Sequence, residues 1–78
     1  GISLRHGCAA QYYASQPVSR WELQPGDLVF FYSGLGHVGV YIGGGQFIHA
    51  SDSGVVVASL YSSYWAGNYY GAGRILVD

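Results

Sequence analysis

GHVGVYIGGGQFIHAS, residues 36–51, holds two strand-like runs on either side of three glycines, with His37 near the start and His49 near the end. Residues 37–42 (HVGVYI) are rich in β-branched side chains, and residues 46–51 (QFIHAS) alternate apolar and polar, so each run reads as a strand. Glycines 43–45 between them reach positive φ without a Cβ penalty and close a hairpin. Whether the two histidines share a face depends on the length of that turn. A three-residue loop pairs Ile42 with Gln46 and sets Gly39 opposite His49, which leaves His37 diagonal to His49 on the same face, roughly 5.5 to 8 Å away. A plain two-residue loop would send them to opposite faces. Gly45 suits the left-handed position that ends a three-residue loop, and this register is the expected one.

Around this hairpin the rest of the chain arranges as a small antiparallel domain. Residues 7–14 (GCAAQYYA) favour a short helix, which Pro17 ends. Residues 19–26 (SRWELQPG) read as a connection closed by a Pro-Gly turn, and residues 27–32 (DLVFFY) as an apolar strand. The turn SGLG at residues 33–36 leads into the hairpin. Residues 55–60 and 71–77 supply a fourth and a fifth strand, with a turn of helix and a loop over residues 61–70. The expected fold is α+β: a meander of about five antiparallel strands with a short N-terminal helix.

Composition narrows the function. The chain has 78 residues, half of them hydrophobic, with three arginines, no lysine and four acidic residues, for a net charge of −1. That is a globular composition, and it provides no basic patch for a phosphate backbone, so nucleic acid is not an expected partner. No apolar run approaches the roughly 20 residues that span a bilayer, and the first residues lack the basic and apolar regions of a secretory signal. The absence of methionine leads to the expectation of a processed piece or a fragment.

Histidine is the side chain that most readily moves protons near neutral pH, so a facing pair is a candidate base with its orienting partner. The plainer alternative is two strand histidines with ordinary hydrogen bonds. A metal site would need a third ligand such as Asp52, and the spacing is not that of usual zinc sites, so neither a metal nor any other cofactor is expected. His6 reads as a surface residue. Cys8, the single cysteine, stands at the start of the predicted helix, where amide dipoles lower a thiol pKa, but its neighbours offer no base, and burial is its default reading. Asp27 reads as a hydrogen-bonding residue at the turn. Trp21 and Trp65 could line a sugar or peptide groove, with core packing as the ordinary reading for both.

The strings LQPGDLVFF (residues 23–31), GHVGVYIGGGQFIHAS (residues 36–51) and SSYWAGNYYGAGRIL (residues 62–76) resemble, in order and spacing, the C-terminal part of the NlpC/P60 family of papain-like cysteine peptidases. The resemblance implies a papain-like fold for which residues 1–78 are the C-terminal portion of one domain, with the main nucleophile helix missing. It implies His37 as the catalytic histidine and His49 as the polar residue that orients it. The family's nucleophile lies in an Asp-Cys-Ser-Gly type motif, which is absent here, and Cys8 falls in the wrong place to replace it. The implied parent is a thiol endopeptidase with peptidoglycan stem peptides as partners, cutting D-glutamyl-diamino acid bonds such as those to meso-diaminopimelate. A secreted or envelope location follows from that substrate, and an inactive isolated chain from the absent motif. The alternative is a non-catalytic cell-wall binding module.

Overall fold

In a computed structural model of the chain, the structure describes residues 7–75, with side chains described from residue 11 onward. Helix α1 (Gly7–Ala14) is followed by the two-residue strand β1 (Gln16–Pro17), a 3-10 turn at Arg20–Glu22, and β2 (Leu28–Phe31). Strands β3 (His37–Gly43), β4 (Gln46–Ser51) and β5 (Gly54–Ser59) come next, then helix α2 (Ser63–Asn68) and β6 (Tyr69–Arg74). All the pairings are antiparallel, and the six strands lie in the order β1-β6-β2-β3-β4-β5.

The meander therefore runs from β2 to β5, and the chain then crosses back so that β6 inserts between β1 and β2. Two details differ from the sequence reading. Among the described residues there are six strands rather than about five, because Gln16 and Pro17 pair with Arg74 and Gly73. Two residues carry no periodicity to read. Pro17 fits there because an edge strand can spare the N–H that proline lacks. The last strand also starts at Tyr69 rather than at residue 71, because α2 ends directly into it.

Local chemistry explains the element ends. The Ser15 hydroxyl and amide both donate to the Tyr12 carbonyl, closing α1. Pro25 and Gly26 occupy the centre of a tight turn in which the Asp27 amide donates to the Gln24 carbonyl and Gly26 takes a φ of +98°. That is the glycine position of a type II turn. Ser62 caps α2 by accepting from the Trp65 amide.

Strand alternation sorts side chains to two faces. Val29, Phe31, Phe47, Leu60 and Ala72 form a buried cluster on one face, covered by Val18, Leu23, Trp65 and Tyr69 from the 3-10 segment and α2 with its flanks. On the other face Tyr12 of α1 packs edge-on against Phe30 at 5.2 Å and against Tyr70 at 5.4 Å.

Candidate active site

The two histidines meet. His37, the first residue of β3, and His49, the fourth of β4, lie on the Phe31–Phe47 face, with His37 Nε2 2.9 Å from His49 Nδ1. Their rings sit edge to face, 4.9 Å between centroids. The register that produces this contact pairs Val40 with Ile48 and Tyr41 with Phe47, the one that places Gly39 across from His49. It arises differently from the expected three-residue loop. Gly43 pairs with Gln46, the turn itself is the two residues Gly44 and Gly45 with φ of +63° and +78°, and the register shifts between Tyr41 and Gly43. Ile42 is the extra residue of a β-bulge. A two-residue turn plus one bulged residue restores the parity that a three-residue loop would have given, and so keeps both histidines on one face.

Gly39 makes the close approach possible. A Cβ built there would fall 2.6 Å from Phe47 Cδ2 and 2.8 Å from the Ile48 carbonyl oxygen. Only hydrogen fits between the strands at that point, directly beside the histidine pair.

Aromatic rings surround the imidazoles. Trp65 of α2 stacks on His37 at an interplanar angle of 20° and a centroid distance of 5.6 Å, and meets His49 edge-on at 4.9 Å. Phe31 lies beneath Trp65 at 4.7 Å, and Phe47 packs against both His49 and Trp65. Helix α2 is fastened to the segment that precedes His37: the Tyr32 amide donates to the Asn68 carbonyl at 2.7 Å, and the Tyr32 and Tyr64 hydroxyls are 2.6 Å apart. Tyr32 and Leu35 in this connection hold φ of +70° and +56°, values that L-residues seldom adopt. Such backbone persists where surrounding contacts fix it, here the Tyr32–α2 contacts and the burial of Leu35.

The electrostatics suit proton transfer. Burial, and then the charge of His49, hold the His37 imidazole below its ordinary value of 6.5, so its ring is neutral at pH 7. His49 Nδ1 also lies 3.3 Å from the Ala50 carbonyl. If His49 carries its proton on Nδ1, it donates to both acceptors. If His37 carries its proton on Nε2, it donates to His49 instead. In either tautomer His37 Nδ1 is the ring nitrogen left for chemistry, with no partner among the described residues.

The other sequence candidates lie elsewhere. Asp27 is buried at the start of β2, where Arg74 Nε and Nη2 donate to its two oxygens at 2.8 and 2.9 Å and the Gln24 amide donates at 2.9 Å. The Arg74 hydrogen bond holds its carboxyl below the ordinary range. Trp21 corrects the expectation of core packing: it is 86% exposed, because the 3-10 turn sends Arg20 inward, over the Tyr69 ring and to the Leu60 carbonyl, and Trp21 outward. Trp65 joins the core as expected, but its contact with both histidines was not legible, since it joins residues far apart in sequence. Asp52 is exposed in the β4–β5 turn, and among the described residues no three potential metal ligands come together. His6 lies outside the described residues, and Cys8 is described only as backbone within α1. A concavity of about 270 Å³ is lined by Leu28, Val38, Val40, Ile48 and Val55 of the opposite face, with Gly39 and His49 also contributing to its wall.

Known proteins give this geometry a context. The probable endopeptidase p60 of Listeria grayi is 47% identical over 77 residues, which cover 96% of this chain and 15% of that protein. A murein DD-endopeptidase/murein LD-carboxypeptidase of Escherichia coli is 43% identical over 79 residues, covering 97% of this chain and 42% of the relative. The chain thus spans well under half the length of these relatives. Among solved structures, a lipoprotein-like NLP/P60 protein of Staphylococcus aureus superposes with a TM-score of 0.83 at 38% identity, over the whole of this chain and 28% of that one. The peptidoglycan hydrolase RipB of Mycobacterium tuberculosis does so at 0.74 and 32% identity, over 91% of this chain and 36% of its own. The NlpC/P60 family model matches residues 1–74, nearly the full sequence, and with these relatives it shows that the chain belongs to the NlpC/P60 family.

Proposed function

We propose that this chain supplies the base and its orienting partner for a cysteine endopeptidase that hydrolyses peptidoglycan stem peptides. The observation that carries this reading is the 2.9 Å contact between His37 Nε2 and His49 Nδ1 on a half-buried aromatic face. The relatives named as endopeptidases, and the solved peptidoglycan hydrolase, supply the substrate class. The nucleophile of the parent is a cysteine in an Asp-Cys-Ser-Gly type motif, which these 78 residues do not contain, and residues 1–78 are the C-terminal portion of the domain. An envelope or secreted location follows from the substrate.

In this mechanism His37 works in the tautomer with its proton on Nε2, donated to His49, so that Nδ1 faces the thiol as a lone pair. His37 takes the thiol proton, and the resulting thiolate and imidazolium stabilise each other. The thiolate attacks the carbonyl carbon of the D-glutamyl-diamino acid bond. As the C–N bond breaks, His37 Nδ1 gives its proton to the leaving amine. Water then attacks the thioester carbonyl and gives its proton to His37, the C–S bond breaks to release the acid product, and His37 returns the proton to sulfur, restoring the thiol. His49 fixes the ring and its tautomer throughout, as the third member of a triad does.

The test uses the parent protein and a muropeptide containing a D-glutamyl-meso-diaminopimelate bond, with products read by mass spectrometry. His37→Ala should lower turnover by at least about 10²-fold, and His49→Ala should lower it less, because a ring still present but unoriented retains part of its function. Wild-type turnover in His37→Ala would overturn the assignment. Muropeptide retention by the parent with no cleavage would instead establish a binding module.

A further inference from the structure

Among the described residues, the indole of Trp65 is the one aromatic ring that touches both imidazoles while stacking nearly parallel to His37. Its position is fixed from three directions. Ser62 accepts from its amide at the helix start, Phe31 supports its ring from the core, and the neighbouring Tyr64 hydroxyl is tied to Tyr32 at the entry to β3. A tryptophan that merely filled the core would need none of this alignment with the His37 plane.

We propose that Trp65 is a positioning residue for His37: its indole face fixes the plane of the imidazole ring for the bond to His49 and stabilises the imidazolium form of His37 through its π cloud. Two effects of opposite sign then act on the ring. Burial disfavours the charged form, and the electron-rich indole face favours it. The groups facing His37 leave this balance readable. On β2 its neighbour is Phe31, which does not titrate. On β4 it is His49, whose charge opposes that of His37. On α2 it is Trp65 itself, with the Tyr32–Tyr64 hydroxyl pair beyond the indole. Tyr69, with Arg20 over its ring, packs edge-on against Phe31 at 6.1 Å. Among the described residues no carboxylate bonds to either imidazole.

The inference gives the proposed proton carrier a partner, so it rests on that reading for its catalytic meaning, but its test does not. The ring resonances of His37 are followed by NMR against pH in the isotopically labelled 78-residue chain and in Trp65→Phe and Trp65→Leu, with His37→Gln supplying the assignment. Leucine keeps the burial and removes the π face. The His37 midpoint in Trp65→Leu should fall by about half a pH unit or more, roughly a threefold loss of proton affinity, and Trp65→Phe should recover much of it. A midpoint that is unchanged or higher in Trp65→Leu would reduce Trp65 to a hydrophobic cover and overturn the proposal. If Trp65→Leu does not fold, the unsubstituted chain decides: stacking displaces the His37 ring protons upfield, and shifts at ordinary imidazole positions overturn the proposal. Failure of His37→Ala to affect turnover in the parent would remove the catalytic reading and leave these titrations standing.

Discussion

Asp27 and His37 both destabilise the fold in acid, through different chemistry. The hydrogen bond from Arg74 holds the Asp27 carboxyl below its ordinary value of 3.8, and burial holds the His37 imidazole below 6.5. For a group whose folded value is depressed, its contribution to stability is complete above the unfolded value and is lost as the pH falls through the folded one. Stability should therefore decline in two windows, the first beginning just below pH 6.5 and the second near pH 4. Urea midpoints between pH 8 and pH 3 check this. His37→Gln should flatten the first decline and Asp27→Asn the second, and an unchanged first decline in His37→Gln would show that His37 protonation does not oppose folding. At neutral pH, Asp27→Ala should cost about 1–2 kcal/mol, because the Gln24 amide and the Arg74 guanidinium lose their acceptor, with Arg74 open enough to solvent to be partly rehydrated. The hydrogen-bonding role of Asp27 was legible from its place after a Pro-Gly turn. Its partner, 47 positions away, was not.

The hairpin β3–β4 sets the geometry of the site, and Gly39 is its narrowest point. Gly39→Ala drives a methyl group into the Phe47 ring and the Ile48 carbonyl, and a backbone oxygen cannot rotate away. The strands must part locally, at a cost of about 1–3 kcal/mol, as expected for overpacking. Parting them beside His49 lengthens the His37–His49 contact, so the variant should lose catalytic turnover in the parent beyond what its lowered melting temperature explains. A variant with the stability loss but full turnover would show that the histidine pair tolerates separation. This element also shows what a sequence can yield. The arms, their alternation and the histidine parity were readable from the pattern of β-branched and small residues. The bulge at Ile42 was not, because a three-residue loop and a two-residue turn plus a bulge place the arms identically. Strand β1 escaped notice for a related reason, since its two residues acquire strand geometry only from β6, more than 50 residues later.

At the scale of the molecule, the two faces of the sheet are unequally covered. The histidine face is closed by α2 and the 3-10 segment. On the opposite face, among the described residues, Tyr12 of α1 packs at the corner formed by Phe30 and Tyr70, and Gln11 lines the concavity beside it. Register aligns Leu28, Val40, Ile48 and Val57 in one row across β2, β3, β4 and β5, and Val57 and its neighbour Val55 are exposed at the end of that row. Strand β5 is also, among the described residues, one of the two edges of the sheet, so apolar side chains and unpaired backbone groups coincide there. Natural edges of this kind are usually blunted by charge, and the strand GVVVAS carries none. Concentration should therefore favour association of the 78-residue chain through this side, since burying the aliphatic row removes apolar area from water at little conformational cost. Sedimentation velocity over a concentration series checks it: the weight-average mass should rise with concentration. Val57→Lys should suppress the rise and leave the monomer's stability within about 0.5 kcal/mol, because the residue is already more than half exposed. An equal rise in Val57→Lys would place the contact elsewhere. A constant monomer mass would mean that the row is too broken by polar neighbours to hold two copies together, and the open edge would then be no obstacle to preparing the labelled chain at the concentrations that the histidine titrations require.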